Sequence, residues 1–157
     1  MISTLETLRR IFINKAVAHC DVPCGIYDPI SAKIAAQTVL KMVLRMEAVD
    51  FSGGITNASQ PNTMMRYIQV KEEHAHKVKE ELNILWSDYF KPEHLEKYPN
   101  LHELIWNANK LAGANKQGVS SDSAQKLVES VDEIAKIFWA TKGVTYSDPV
   151  ADVRFGA

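Results

Sequence analysis

Two cysteines and one histidine near the N-terminus, His19, Cys20 and Cys24, are the residues best suited to chemistry. Thiolates are soft donors that select late transition metals, and imidazole is a good ligand for nickel, copper and zinc. Pro23 and Gly25 prevent a regular helix here, so we expect a compact hook that brings both sulfurs to one ion. The same spacing is also compatible with two reduced thiols at a turn or with a redox disulfide.

The number of cysteines limits the kind of metal site. Two thiols cannot form a four-thiolate zinc site, and an iron–sulfur cluster would need a third cysteine. Tetrahedral zinc would need a fourth ligand, which only distant histidines could supply. If the chain were cut after Ala18, the new α-amine of His19 and the amide of Cys20 would add two nitrogens to the two sulfurs. A square plane with the imidazole above it favours nickel or copper over zinc.

Residues 1–18 are predicted to be a leader that is removed on maturation. Their apolar residues fall at helical spacing between basic ones, and residues 16–18 (AVA) are typical of a cleavage site. The longest apolar run, residues 11–13 (IFI), is too short for the core of an export signal, which favours a cytoplasmic protein. The alternative is that residues 1–18 form an ordinary first helix.

Four amphipathic helices are predicted after the hook, because apolar residues recur at three- and four-residue steps. The four stripes are Ala35, Val39, Met42, Val43, Met46 and Val49; Ile68, Ala75, Val78, Leu82, Leu85, Trp86 and Tyr89; Leu101, Leu104, Ile105, Ala108 and Leu111; and Ala124, Leu127, Val131, Ile134 and Phe138. No stretch alternates at period two, so strands are not expected. We therefore predict an all-α protein, with a metal hook at 19–29, an antiparallel four-helix bundle at 30–143 and an irregular C-terminal tail at 144–157.

Capping residues, glycines and prolines predict where these helices begin and end. The predicted boundaries are Asp28 as N-cap and Pro29 as the first residue of the first helix, a loop over residues 51–62, Pro92 after the second helix, Pro99 before the third, Gly113 as C′ residue of the third, and Ser121 or Asp122 at the start of the fourth. Short polar links between the helices favour antiparallel neighbours.

Length and charge exclude several classes of protein. With 157 residues the chain suits one domain with its own core. Its 18 basic and 19 acidic residues give a formal net charge of −1, which argues against nucleic-acid and membrane-surface partners. No apolar run approaches the roughly 20 residues that a membrane helix needs. Any special chemistry must therefore come from a few residues.

Residues 19–29 (HCDVPCGIYDP) match every fixed position of the pattern His-Cys-Asp-x-Pro-Cys-Gly-x-Tyr-Asp-Pro, so the segment resembles the nickel hook of the nickel-containing superoxide dismutases. Residues 86–92 (WSDYFKP) and 96–99 (EKYP) resemble the end of that family's second helix and the loop after it. Residues 137–139 (IFW) are similar to the end of its last helix. The resemblance covers residues 19 to about 142.

This resemblance implies an antioxidant oxidoreductase that converts superoxide to dioxygen and hydrogen peroxide by Ni(II)/Ni(III) cycling, with one nickel ion per subunit. It further implies four-helix subunits in a homohexamer and a leader that a dedicated peptidase removes. The implied metal ligands are the amine and imidazole of His19, the amide and thiolate of Cys20, and the thiolate of Cys24.

The resemblance also implies three further site residues. Tyr27 would lie at the mouth of the hook, where a phenol can hydrogen-bond a small anion or water. Tyr89 and Lys91 would lie nearby, and a lysine there could attract an anionic substrate. Each has a plain structural alternative: a packing contact at a helix start for Tyr27, a core position for Tyr89 and a solvated charge for Lys91.

Two positions depart from the family pattern. Well-known members carry a glutamate at the position of Ala35 and an arginine at the position of His74, and these support the axial imidazole. Such outer partners normally orient a ligating histidine. Because both residues differ in this chain, the family's arrangement cannot be transferred to it. We hypothesise that His74 replaces the arginine or that a neighbouring subunit supplies the partner.

Two other kinds of protein are compatible with parts of the pattern. A non-enzymatic nickel- or copper-binding helical protein could use the same hook, although it would not need Tyr27 or the bundle motifs. A helical interaction protein could instead form a regulatory disulfide between Cys20 and Cys24, with residues 1–18 as a docking helix.

Overall fold

The computed structural model describes residues 24–156, and every regular element in that range is helical. The elements are α1 (Ile30–Glu47), α2 (Ser59–Ile84), a π-helical turn (Leu85–Tyr89), α3 (Pro92–Lys97), α4 (Leu101–Gln117), α5 (Ser121–Thr141) and α6 (Ala151–Phe155). The hook residues His19 and Cys20 and the whole predicted leader lie outside this range.

The four long helices form one bundle. Both α1 and α4 pack on α2 and α5, so each long helix has two long neighbours. Because α4 and α5 are packed together and joined only by residues 118–120, they run antiparallel. The largest fully buried side chains between the helices are Leu82, Leu101, Ile105, Leu127, Ile134 and Phe138. The all-α prediction is confirmed.

The start of α1 lies one residue later than predicted. Its N-cap is Pro29, and its first helical residue is Ile30. Asp28 still stabilises this start, because its Oδ1 accepts a hydrogen bond from the Ile30 amide at 2.8 Å. Pro29 is fully buried, so the chain enters the bundle directly after the predicted hook.

Two other predicted boundaries are wrong. Residues 60–62 belong to the first turn of α2 and not to a loop, because a proline in the first turn removes an amide that would have no helical partner anyway. Gly113 lies inside α4, which continues to Gln117. The glycine makes this turn less favourable by roughly 1 kcal/mol than alanine would, and the contacts of the helix end compensate.

The end of α4 is held by a buried lysine of α2. Lys71 is only 2 % exposed, and its Nζ donates to the carbonyls of Asn115, Lys116 and Gly118 at 2.6, 2.8 and 2.9 Å. Carbonyls at a helix end have no intrahelical partner, and the negative end of the helix dipole favours a cation. Burial lowers the pKa of Lys71, so the three hydrogen bonds must offset the loss of water around its charge.

The C-terminal tail differs from the predicted irregular segment, since it contains α6 and packs along α1. The Gln37 amide donates to the first carbonyl of α6 at 3.1 Å, and Lys41 donates to the carbonyl of Gly156 at 2.9 Å. Arg154 donates to both carboxylate oxygens of Asp148 at 2.9 and 2.7 Å. Five residues are too few for a periodic pattern, and most of these contacts are polar, so hydrophobic spacing could not predict them.

None of the helices within residues 24–156 combines the length and the apolar character that crossing a membrane requires.

We predict that Lys71→Met destabilises the bundle. The three carbonyls at the end of α4 would lose their donor where the lysine now excludes water, so the free energy of unfolding should fall by about 2–3 kcal/mol in urea titrations. Lys77→Met removes an exposed lysine of the same helix and is the matched control; it should change the value by less than about 0.5 kcal/mol. Equal stability of the two variants would contradict the capping role.

We also predict that Arg154, which donates to Gln37 Oε1 of α1 at 3.0 Å and to Asp148 of the tail, holds the tail on α1. Arg154→Gln should make the amides of residues 151–156 exchange with solvent about tenfold faster at neutral pH. Lys126→Gln, which breaks the exposed Lys126–Asp122 pair, should leave this exchange unchanged.

The pH dependence of the tail follows from the ion pair between Arg154 and Asp148. The hydrogen bonds from Arg154 hold the pKa of Asp148 below its usual value. Its stabilisation is therefore complete above the ordinary carboxyl pKa of about 3.9 and is lost as the pH falls through the lowered value. The protection of the tail amides, measured relative to the intrinsic exchange rate at each pH, should fall only in that acidic range in the parent protein.

Candidate metal centre

Cys24, the one predicted metal ligand in the described range, lies at its N-terminal edge. The residue is exposed, and its Sγ accepts a hydrogen bond from the Ile26 amide at 3.4 Å. Gly25 between them has a φ of +71°, a conformation that side chains disfavour, so the chain turns sharply beside the sulfur. The thiolate is the form of cysteine that binds metals.

Tyr27, three residues after this cysteine, is in contact with Tyr89. Their ring centroids lie 5.5 Å apart with the planes at 55°, and both side chains are half-buried. Tyr27 follows Cys24 by three residues, whereas Tyr89 comes from the far end of α2. This contact joins the segment after Cys24 to the bundle, and the role of the two tyrosines at a metal site stays a prediction.

The π-helical turn determines where Tyr89 lies. The Phe90 amide donates to the Leu85 carbonyl at 2.9 Å, a bond across five residues that widens the helix. Phe90 then adopts an extended conformation. The Tyr89 ring packs on Phe138 of α5 at 4.5 Å and on Phe90 at 5.2 Å. Such widened turns are frequent at functional sites, and helical periodicity alone does not predict them.

Two residues at the end of α5 contact Tyr89 and were not predicted. The Tyr89 hydroxyl lies 2.6 Å from Thr141 Oγ1, and Thr141 in turn donates to the Phe138 carbonyl at 2.6 Å. Lys142 Nζ lies 5.2 Å from the centroid of the Tyr89 ring and 5.2 Å from that of Phe138. Both residues follow the IFW motif closely, which is the only signal in the sequence that could have indicated them.

Lys91, two residues after Tyr89, is exposed. His94 contacts both the backbone of Lys91 and the ring of Tyr89. The Lys91 amide donates to His94 Nδ1 at 3.1 Å, and the His94 ring stacks on Tyr89 at 5.7 Å with an angle of 18°. His94 lies in α3, which was not predicted, so its contribution could not be foreseen. His94 thus contacts both residues, and its Nε2 is not used in the bond to Lys91.

The two departures from the family pattern have clear structural settings. Ala35 is 1 % exposed in α1, and its methyl group can form no hydrogen bond. His74 is half-buried, and its Nδ1–H donates to the Val70 carbonyl at 2.8 Å. This leaves Nε2 as the nitrogen that could meet another imidazole. Because His19 lies outside the described residues, the proposed replacement by His74 stays a prediction.

The donor set is compatible with a nickel site that uses the N-terminal segment. Among residues 24–156 there is no cluster of three or more histidine, cysteine or acidic side chains that could hold a metal ion. The described part therefore contributes one exposed cysteine, and further ligands would come from before Cys24. A soft thiolate at the edge of the bundle suits a late transition metal.

An apolar groove elsewhere on the bundle does not belong to this centre. It has a volume of about 610 Å³ between α2 and α4, and its lining includes Trp86, Ile105 and Trp106. None of the predicted site residues lines it. The groove and the candidate centre are separate features.

Comparison with known proteins gives a consistent result. The family model for nickel-containing superoxide dismutase matches residues 14–142. The chain is 39 % identical over 137 residues to the superoxide dismutase [Ni] of Streptomyces coelicolor and 40 % identical over 137 residues to that of Streptomyces seoulensis. Each alignment covers 86 % of this chain and 98 % of the relative.

Solved structures agree with the sequence comparison. A crystal structure of Ni-containing superoxide dismutase with the nickel ligation of the oxidised state has a TM-score of 0.70 and 40 % identity, covering 80 % of this chain and 100 % of the other. A native nickel superoxide dismutase structure has a TM-score of 0.69 and 40 % identity, and the match covers 79 % of this chain and 99 % of the other. Because the family match includes the hook, both tyrosines and all four long helices, the chain belongs to the family of nickel-containing superoxide dismutases.

Proposed function

We propose that this protein is a superoxide dismutase with one nickel ion per subunit. Two superoxide anions and two protons would give one dioxygen and one hydrogen peroxide. The observation that carries the proposal is the contact between Tyr27, three residues after Cys24, and Tyr89 of the bundle in a member of this family. When bound, nickel that alternates between the divalent and trivalent states supplies the one-electron chemistry.

The proposed metal ligands are His19, Cys20 and Cys24. The thiolates and the nitrogens of the first two residues form the donor set that suits nickel, and the Ile26 amide tempers the charge on the Cys24 sulfur. The α-amine of His19 is a ligand only if the chain begins there. We therefore include in the proposal that residues 1–18 are removed by a peptidase after Ala18.

The two tyrosines would control access to the metal. The two half-buried rings pack against each other with centroids 5.5 Å apart, and they would cover one side of the approach to the metal against larger molecules. The Tyr27 phenol can donate a hydrogen bond to a small anion, and the oxygen of either phenol can accept one from a water. A restricted approach also protects the thiolates, since cysteine oxidation by peroxide is the chemistry that would inactivate the site.

Lysines near the tyrosines would attract the substrate. The whole chain carries a formal net charge of −1, so a superoxide anion gains nothing from the overall charge. Lys142 lies against the Tyr89 ring, and Lys91 is exposed two residues beyond it. Local positive charge raises the rate of encounter with an anion, and the effect falls with ionic strength.

A homohexamer in the cytoplasm completes the proposal. Several large apolar side chains are exposed on the described part of the bundle, among them Met65 at 70 % and Trp106 at 61 %. Exposed apolar surface of this kind is typical of subunit interfaces. The short apolar run of residues 1–18 lacks the core of an export signal, which supports a cytoplasmic location.

We predict that the position of the N-terminus decides activity. A chain that begins at His19 should bind one nickel ion per subunit and remove superoxide. One alanine added before His19 should lower activity by at least about 100-fold, because the amine ligand becomes an amide. Nickel content by mass spectrometry and superoxide decay by stopped flow measure both effects.

The matched control for this experiment carries one alanine after Ala157. It should retain nickel and activity. If both extended chains were fully active, a role for the His19 amine would be excluded. Nickel binding without superoxide removal in the chain that begins at His19 would favour a non-enzymatic metal-binding protein.

We predict that Lys142→Gln slows the encounter with superoxide. A unit charge about 7 Å from an anion in water contributes roughly 0.6 kcal/mol, so kcat/KM should fall about threefold at low ionic strength and less at high salt. Lys97→Gln is the matched control, because Lys97 lies 5.4 Å from the Tyr98 ring in the same kind of contact away from Tyr27. An equal loss in both variants would mean that only net charge matters.

A further inference from the structure

A chain of two hydrogen bonds connects the Tyr89 hydroxyl to the end of α5. Tyr89 lies 2.6 Å from Thr141 Oγ1, and Thr141 Oγ1 lies 2.6 Å from the Phe138 carbonyl oxygen. Both are short for hydroxyl hydrogen bonds, so each oxygen pair has a proton between its atoms. Two protons are available for the two contacts, one from each hydroxyl group.

The direction of this chain follows from the chemistry of its last member. A carbonyl oxygen only accepts, so the Thr141 proton must point to Phe138. Thr141 then has no second proton for Tyr89, and the proton between these two residues belongs to the tyrosine. Tyr89 is therefore the donor to Thr141, although the distance alone would allow either direction.

The helix end explains why the carbonyl needs this donor. In a continuing helix the Lys142 amide would bond to the Phe138 carbonyl, but it donates to the Trp139 carbonyl at 3.0 Å, because the helix ends there. The Thr141 hydroxyl replaces the missing amide. The negative end of the helix dipole polarises the chain in the same direction, and successive hydrogen bonds strengthen one another.

We infer that Thr141 is a positioning residue that commits the Tyr89 proton to α5, so that Tyr89 faces the hook side as a hydrogen-bond acceptor. The inference rests on the proposed function and refines it. Tyr89 fixes a water or another donor near the metal through its oxygen lone pair. The two protons that peroxide formation consumes then come from Tyr27 or from water and not from Tyr89.

The first experiment reads the proton itself in nickel-free protein. A hydroxyl proton held in a short hydrogen bond exchanges slowly enough for proton NMR, and its signal is assigned to Tyr89 by its loss in Tyr89→Phe. The signal should persist in Thr141→Ser, which keeps the hydroxyl, and disappear in Thr141→Val. Persistence of the signal in Thr141→Val would overturn the inference. This readout does not depend on dismutase activity, so it remains informative if the proposed function is wrong.

The second experiment tests whether Thr141 acts through Tyr89. In the nickel-loaded chain that begins at His19, Thr141→Val should lower kcat/KM about three- to tenfold, whereas Thr141→Ser should restore it. In a Tyr89→Phe background the same change should have no further effect, since acting through one hydroxyl makes the two losses non-additive. Equal losses in both backgrounds would show a merely structural role and contradict the inference.

Two controls complete the design. Thr38→Val removes a hydroxyl that also donates to a carbonyl of its own helix, Ile34 at 2.9 Å, but does not touch Tyr89. It should leave both the NMR signal and kcat/KM unchanged. The solvent isotope effect on kcat should be retained in Tyr89→Phe. Its disappearance in that variant would identify Tyr89 as the proton donor and overturn the inference.

Discussion

The packing of Tyr89 between α5 and Tyr27 is the contact on which the candidate centre depends. One side of the ring lies on Phe138, which is fully buried in the bundle, and the hydroxyl group bonds to Thr141. On the other side, Tyr27 belongs to the segment that carries Cys24. Residues 24–28, which precede α1, form no regular element, so a contact with the bundle is needed to fix their position. Tyr89 supplies that contact from the rigid part of the molecule.

The ends of the long helices provide contacts that stabilise the fold and position Tyr89. The end of α2 widens into a π-helical turn that places Tyr89, and the end of α5 accepts the hydrogen-bond chain from it. The end of α4 is closed by Lys71. The carbonyls at the end of α4 are matched by a side chain of another helix, the Phe138 carbonyl of α5 by Thr141 of its own helix, and the Leu85 carbonyl by the Phe90 amide. Satisfying the backbone and building the site are thus achieved by the same contacts.

The sequence predicts the parts of this structure that depend on local spacing. Apolar periodicity indicated the four long helices, and the short motif at residues 19–29 indicated the metal ligands. The prediction that α4 ends at Gly113 was wrong, because Lys71, the partner of the actual helix end, lies more than 40 residues away in the chain. Thr141, Lys142 and His94 were missed for the same reason: their roles exist only once Tyr89 is placed against them. All three predicted ligands, His19, Cys20 and Cys24, remain predictions, and the first two lie outside the described residues.

The way in which Lys142 is held matters for its proposed role. Lys126 and Lys136 are paired with carboxylates, which stabilise the ammonium groups but cancel their charge for any distant ion. Lys142 instead lies over the faces of two aromatic rings, Tyr89 and Phe138. The quadrupole of a ring attracts a cation without carrying a net charge. A lysine held by rings therefore keeps its full positive charge while its position is fixed, and this combination is what attraction of a small anion to one point on a net-negative protein requires.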